Sequence, residues 1–168
     1  MTSSPPVDAR LYRDAIGRFA TGVTVVTVHD GTHPRGMTAN AVTSVSLDPV
    51  LLLVCVAKSA RSHESLAVAR SFAVNVLGAD QRELSDYFAR SSADEERPMG
   101  GWPHRPGGTG APILEGALAW FECRVWNWLP GGDHSIVVGE VVDLALERPD
   151  GEPLLFHAGA YRRLGDPL

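Results

Sequence analysis

Cysteine is scarce in this chain, with only Cys55 and Cys123 among 168 residues. The two lie far apart, both among apolar neighbours, with no Cys-x-x-Cys or Cys/His spacing around either. That excludes a zinc ribbon and a disulfide-stapled scaffold, and predicts reduced, buried thiols. Long hydrophobic runs are missing as well: the longest, Val50 to Ala57, falls far short of the roughly 20 residues of a membrane helix. The opening Met-Thr-Ser-Ser-Pro-Pro has neither the basic end nor the apolar stretch of a secretion signal, so a cytoplasmic protein that engages no membrane is expected. Excess positive charge is also lacking. A formal net charge of -5 gives no general attraction to phosphate backbones, so nucleic acid is not an expected partner.

Familiar catalytic signatures are absent too. No G-x-G-x-x-G follows a strand, and neither G-x-x-x-x-G-K-[ST] nor G-x-S-x-G occurs, which disfavours a Rossmann site, a P-loop and a hydrolase elbow. The six histidines (29, 33, 63, 104, 134 and 157) show no metal-ligand spacing, and no metal is expected.

What remains is a globular composition, 44% hydrophobic and 21% charged, in a length suited to one domain. Residues 1–7 read as a disordered lead-in to a single domain over 8–168. Asp8 is placed to cap a helix carrying Leu11, Ile16, Phe19 and Ala20. Val23 to Val28 is β-branched throughout and ends at an Asp30-Gly31 turn, the pattern of a strand and hairpin. Val50 to Ala57 reads as a fully buried strand. Ser62 to Ala69 is a short helix, Ser71 to Leu77 a strand, and Asp80 to about Arg90 a helix with Leu84, Tyr87 and Phe88. Ser91 to Pro112, rich in Gly and Pro, reads as a long surface loop. Strands Ala117 to Trp128 and Ser135 to Leu146 follow, joined by Pro130-Gly131-Gly132-Asp133-His134, and a last strand runs from about Leu154 to Tyr161. Antiparallel strands in hairpins with few helices predict a mainly β, Greek-key barrel, because closure removes exposed sheet edges.

Three polar features stand out. Gly36 to Ser46 crowds hydroxyl and amide side chains onto an expected core strand. Buried polar groups cost about 1–3 kcal/mol each unless hydrogen-bonded, so the row indicates either a bound polar ligand or a solvated strand face. Lys58-Ser59-Ala60-Arg61-Ser62-His63 opens a short helix, whose N–H groups and serines suit a phosphate, although Ser59 or Ser62 serves equally as a simple N-cap. Gly132-Asp133-His134 is, by spacing alone, a tight turn.

Five motifs in order then carry a resemblance: Phe19-Ala20-Thr21-Gly22-Val23-Thr24-Val25-Val26-Thr27; Gly36-Met37-Thr38-Ala39-Asn40-Ala41 with Ser44 to Pro49; Phe72-Ala73-Val74-Asn75-Val76-Leu77; Gly132-Asp133-His134 with Gly139-Glu140-Val141; and Pro153-Leu154-Leu155-Phe156 with Gly159 and Tyr161. The chain resembles the short flavin reductases of the FMN-binding split-barrel fold, the reductase components of two-component flavin-dependent monooxygenases. The resemblance implies hydride transfer from NADH or NADPH to FMN or FAD and release of reduced flavin to a partner oxygenase. It places Thr38, Ala39, Asn40, Ala41, Ser44 and Val45 along the flavin, with Cys55 and Val56 bordering its ring. Lys58, Ser59, Arg61 and Ser62 fall near its phosphate. His134 is assigned to position the nicotinamide, with Gly159, Tyr161 and Arg162 contributing, and a homodimer with flavin near its interface is implied. A split-barrel flavin carrier or oxidase that supplies no diffusible flavin is the alternative, and a small-ligand barrel without redox chemistry a third.

Overall fold

In a computed structural model, which describes residues 7–90 and 98–167, the chain folds around a seven-stranded antiparallel sheet. The elements in order are α1 (Ala9–Ile16), β1 (Thr21–Gly22), β2 (Thr24–His29), β3 (Pro34–Ala39), β4 (Val42–Leu47), β5 (Val50–Ala57), α2 (Arg61–Ala69), β6 (Ser71–Val76) and α3 (Arg82–Phe88). A 3-10 turn at Pro98–Gly101 precedes β7 (His104–Pro106), β8 (Pro112–Leu114), β9 (Ala119–Gly131), β10 (His134–Leu146), β11 (Leu155–His157) and β12 (Ala160–Arg162). Most of the expected lead-in, residues 1–6, lies outside the described residues, as does the start of the expected loop, 91–97. No helix among the described residues is long and apolar enough to cross a membrane.

The sheet order is β3-β2-β6-β9-β10-β5-β4. β3 and β4 are its two edges, yet only Asn40 and Ala41 separate them in the chain. So short a link can join opposite edges only if the sheet curls until they meet. The Cys55 amide, donating to the Ala41 carbonyl at 2.9 Å, extends the β4–β5 ladder into that link. The result is the expected mainly β split barrel, whose seam runs between β3 and β4.

Val26, Val28, Val54, Val56, Phe72, Val74, Cys123 and Val137 fill the barrel. A second core, built on Val23, Val25, Leu77, Leu84, Phe88 and Leu154, packs α3 and the C-terminal segment against the outside of β2. β2 is therefore buried on both faces. The sequence had suggested that place for Val50 to Ala57, but in β5 only Leu52, Val54 and Val56 are buried, while Val50 and its outward neighbours are not. The difference is one of cover: among the described residues no second core packs on the outer face of β5, whose outward residues Leu51, Leu53, Cys55 and Ala57 stay half-buried.

Other expectations are revised in detail. Asp8 does cap α1, accepting from the Arg10 amide at 2.8 Å, but the helix stops at Ile16, short of Phe19, and none of its residues is buried. Gly36 to Leu47 is two edge strands, half-buried or exposed except at Ala39, and not one core strand. The last strand is a hairpin, β11 and β12, turned at Ala158 and Gly159, both with positive φ.

The described part of the Ser91 to Pro112 loop is ordered into the 3-10 turn and the β7–β8 hairpin. A buried carboxylate holds that hairpin: Glu122, 1% exposed, accepts from the Gly108 amide at 2.9 Å and from the amide and hydroxyl of Thr109. Asn75 anchors its other end, accepting from the Leu114 amide at 2.8 Å while donating to the Val25 carbonyl at 3.1 Å.

Candidate functional site

A cleft of about 700 Å³ opens along the barrel seam. Its floor is Gly36 to Ala41, where β3 runs into the two-residue link. Cys55 and Ala57 of β5 and the start of α2 form one wall, and Tyr87, Phe88 and Met99 the other. Gly36 is what lets these walls close, since a Cβ there would stand 2.6 Å from the Phe88 ring.

Charge around the cleft is of one sign. Arg35, Arg61 and Arg90 line it, with His33 and His134, and no carboxylate is among its described lining residues. The sequence assigned Ser59 or Ser62 as a possible cap of α2, but the capping position is Ala60, which has no side-chain oxygen to offer. The first turn of α2 thus brings backbone N–H groups to the cleft beside Arg61 and Ser62 without a side-chain cap. The aromatic and thioether surface of Tyr87, Phe88 and Met99, with the guanidinium groups and the α2 N–H donors in the same cleft, suits a ligand with a flat apolar ring and an anionic tail.

Hydrogen bonds fix the cleft's edges. The Lys58 ammonium donates to the Gly132 carbonyl at 2.6 Å and the Lys58 amide to the Asp133 carbonyl at 3.0 Å, pinning the β9–β10 tip to the end of β5. His134 consequently lies opposite Ala57 in register. Its Nδ1 meets the Asp133 carboxylate at 2.8 Å, a contact that holds the Asp133 carboxyl below its ordinary range. Next to it, Ser135 Oγ meets His63 Nε2 at 2.9 Å, and the His63 ring stands edge-on to Trp128, which docks α2 on β10. The Thr38 hydroxyl donates to the Ser85 carbonyl of α3 at 2.6 Å.

Of the residues singled out from sequence, the cleft brings together Thr38, Ala39, Asn40, Ala41, Cys55, Ser59, Arg61, Ser62 and His134. It does not bring in the others. Val56 points into the barrel core with no exposure, because strand alternation sends it opposite to Cys55. Ser44 and Val45 are exposed on the edge strand β4, outside the cleft. Lys58 spends its ammonium on the hairpin tip. Gly159, Tyr161 and Arg162 sit on the β11–β12 hairpin outside the cleft lining, and Tyr161 is tied to the cleft's aromatic wall by packing in the second core and by its hydroxyl, 2.8 Å from Ser85 Oγ. Sequence reasoning missed Arg35, Met37, Tyr87, Phe88, Arg90 and Met99. Arg35 and Met37 flank the Gly36 already in the motif, but the α3 residues had no signal beyond helical spacing.

The two thiols differ. Cys55 is half-buried at the cleft, whereas Cys123 is fully buried and its thiol is pushed up to about 12, mainly by burial and further by the charge of Glu122.

Together the curled sheet and the arginine-lined cleft, with no carboxylate among its described lining residues, define a class, the antiparallel split barrel with a cleft at its seam. The chain belongs to the flavin reductase like domain family, whose model matches residues 16–165. It is 47% identical to a probable flavin reductase of Rhizobium meliloti over 92% of this chain, although it spans only 48% of that longer relative. An NADH-dependent FAD reductase of Streptomyces globisporus is 44% identical, with 94% of this chain and 87% of the relative covered. Among solved structures, BorF, the flavin reductase component of a bacterial two-component tryptophan halogenase, superposes with a TM-score of 0.84 at 46% identity, covering 95% of this chain and all of BorF.

Proposed function

We propose that the chain reduces FMN or FAD with NADH or NADPH and releases the reduced flavin to a partner flavin-dependent monooxygenase. The observation that carries this reading is the cleft itself, which joins aromatic and thioether surface to three arginines at the seam of a flavin-reductase barrel. Thr38, Ala39, Asn40 and Ala41 supply the surface for the ring and ribityl chain, with Cys55 at its border. Ser59, Arg61, Ser62 and the α2 amides receive the phosphate, to which Lys58 contributes by positioning the hairpin tip. His134 faces the cleft from that tip and orients the nicotinamide, and Tyr161, with Gly159 and Arg162 beside it, supports the same ligand through Ser85. When both nucleotides are bound, the chemistry is hydride transfer from C4 of the dihydronicotinamide to N5 of the flavin. The protein's share is alignment, exclusion of water and positive potential toward reduced flavin.

The same reading takes residues 8–168 as one cytoplasmic domain that works as a homodimer. Leu11, Tyr12, Ile16 and Phe19 at the α1 end and Val45, Leu47 and Val50 at the β4–β5 end are all exposed, two sets of apolar side chains of the kind a second copy covers. In such a dimer Ser44 and Val45 lie at the interface and reach the flavin from there.

The test is NADH oxidation in air with added FMN or FAD, with His134→Ala alongside. Turnover that scales with free flavin and drops in the variant supports the reading. Flavin binding without NADH turnover replaces it with a flavin carrier.

A further inference from the structure

His63 directly follows Arg61 and Ser62, which line the cleft, but is not itself part of that lining. Its ring goes to β10 instead. Nε2 meets Ser135 Oγ at 2.9 Å, and the ring stands edge-on to Trp128 with centroids 5.2 Å apart. Ser135 is only 2% exposed and comes directly after His134 in β10. Each end of this contact therefore adjoins a group of the proposed site, while neither end lines the cleft.

The way α2 begins gives the contact its importance. A serine, aspartate or asparagine at the capping position accepts from a first-turn amide and so holds that turn. Ala60 cannot, and an uncapped first turn frays unless something else fixes it. Leu66, in the barrel core, and Ser65, donating to Asp30 at 2.7 Å, anchor the middle of the helix. His63 anchors its start, through a side chain and without drawing on the first-turn N–H groups that a cap would occupy. Ser135 is a rigid post for it, since β10 is paired there on both sides, opposite Val56 of β5 and Pro130 of β9.

Resting on the flavin-reductase reading, we infer that His63 is a positioning residue for the flavin phosphate. By tying the first turn of α2 to Ser135 and Trp128, it holds Arg61, Ser62 and the uncapped amides where the phosphate arrives. A turn free to fray offers the same groups, but only at an ordering cost that the ligand must meet on binding.

The test is equilibrium binding of oxidised FMN and riboflavin to the full chain, followed by flavin fluorescence, with a melting temperature for each protein. Riboflavin shares the ring and ribityl chain of FMN and lacks the phosphate, so the ratio of the two dissociation constants isolates the phosphate. Wild type, His63→Ala, His63→Gln and Ser135→Ala are compared. In His63→Ala the preference for FMN is expected to fall about tenfold, with riboflavin bound as in wild type. A glutamine amide nitrogen falls close to the place of Nε2, so His63→Gln is expected to restore most of the ratio. Ser135→Ala is expected to lower it in the same direction, and it carries the comparison if His63→Ala does not fold. Variants that melt earlier with the ratio unchanged, or that lose both flavins equally, assign His63 to the fold alone and overturn the inference. A wild type without preference for FMN over riboflavin also overturns it, and NADH oxidation with either flavin then leaves the functional reading standing. A wild type that binds no flavin and oxidises no NADH overturns both.

Discussion

Tyr161 and Ser85 meet hydroxyl to hydroxyl at 2.8 Å, and the carbonyl of that same Ser85 accepts from Thr38 at 2.6 Å. One fully buried residue of α3 therefore joins the floor of the cleft to the C-terminal hairpin. The Phe156 ring, edge-on to Tyr161, and Arg82, over its face, complete the clamp. Burial in that setting raises the Tyr161 hydroxyl above its ordinary range, so it stays a neutral hydrogen-bonding group at physiological pH.

Ser85→Ala cuts the hairpin side of this link and leaves the Thr38 side intact, since the carbonyl remains. Stability is expected to fall by about 1 kcal/mol, the net worth of one hydrogen bond. The informative readout is kinetic: KM for NADH rises while the dissociation constant for oxidised flavin stays near wild type. An equal loss for both ligands would mean that Ser85 acts only on the fold.

Gly36→Ala places a methyl group 2.6 Å from the Phe88 ring, inside contact distance, and Phe88 is itself packed in the second core. The ring must move toward the cleft or β3 away from it. A loss of about 1–3 kcal/mol is expected from overpacking. Thermal melting measures that loss, and a flavin titration should show weakened binding even at temperatures where the variant is fully folded.

Glu122→Ala removes the acceptor on which the Gly108 and Thr109 amides depend. Hydrogen bonds to a charged group contribute about 1.5–3 kcal/mol each, and the amides would lose the buried acceptor that orders the hairpin. Faster hydrogen exchange is expected at Gly108 and Thr109 first, with the β2–β6–β9 centre still protected. Uniform exchange across the sheet would show instead that the hairpin and barrel open as one unit.

Acid should destabilise the protein through Asp30. Its folded pKa is depressed by four donors, so its contribution to stability is fully present above the ordinary carboxylate pKa of about 4 and is lost progressively as pH falls from there through the much lower folded pKa. Asp30→Asn is therefore expected to lower the melting temperature at pH 7 by a margin that starts to shrink below about pH 4 and keeps shrinking as pH falls toward the strongly depressed folded pKa. A constant difference between the two across this range would contradict the assignment.

Much of the fold was legible in the chain because local chemistry specifies it. The β-branched run Val23 to Val28, the Asp8 cap and the Gly132 turn each act over a few residues, and each stands where the sequence placed it. The floor of the site was legible for another reason, its motif. What misled was burial. Val50 to Ala57 looks more apolar than Val23 to Val28, yet β2 is the strand covered on both faces, because α3 and the C-terminal segment pack on it, while among the described residues no such core packs outside β5. The Gly- and Pro-rich loop concealed a hairpin for a similar reason: the group that orders it, Glu122, belongs to a strand beyond it in the chain.

The sequence by itself determined the strands, their hairpin order and the polar segment from Gly36 to Ala41, since propensity, turn chemistry and period act between near neighbours. Only the tertiary structure decided that β3 and β4, two residues apart, become opposite edges of one curled sheet. That closure brings Arg61 from α2, Phe88 from α3 and His134 from the β10 tip around the same cleft. The physical reason is that the cleft's partners are set by packing across long sequence separations, where no local propensity acts and only the whole barrel fixes the distances.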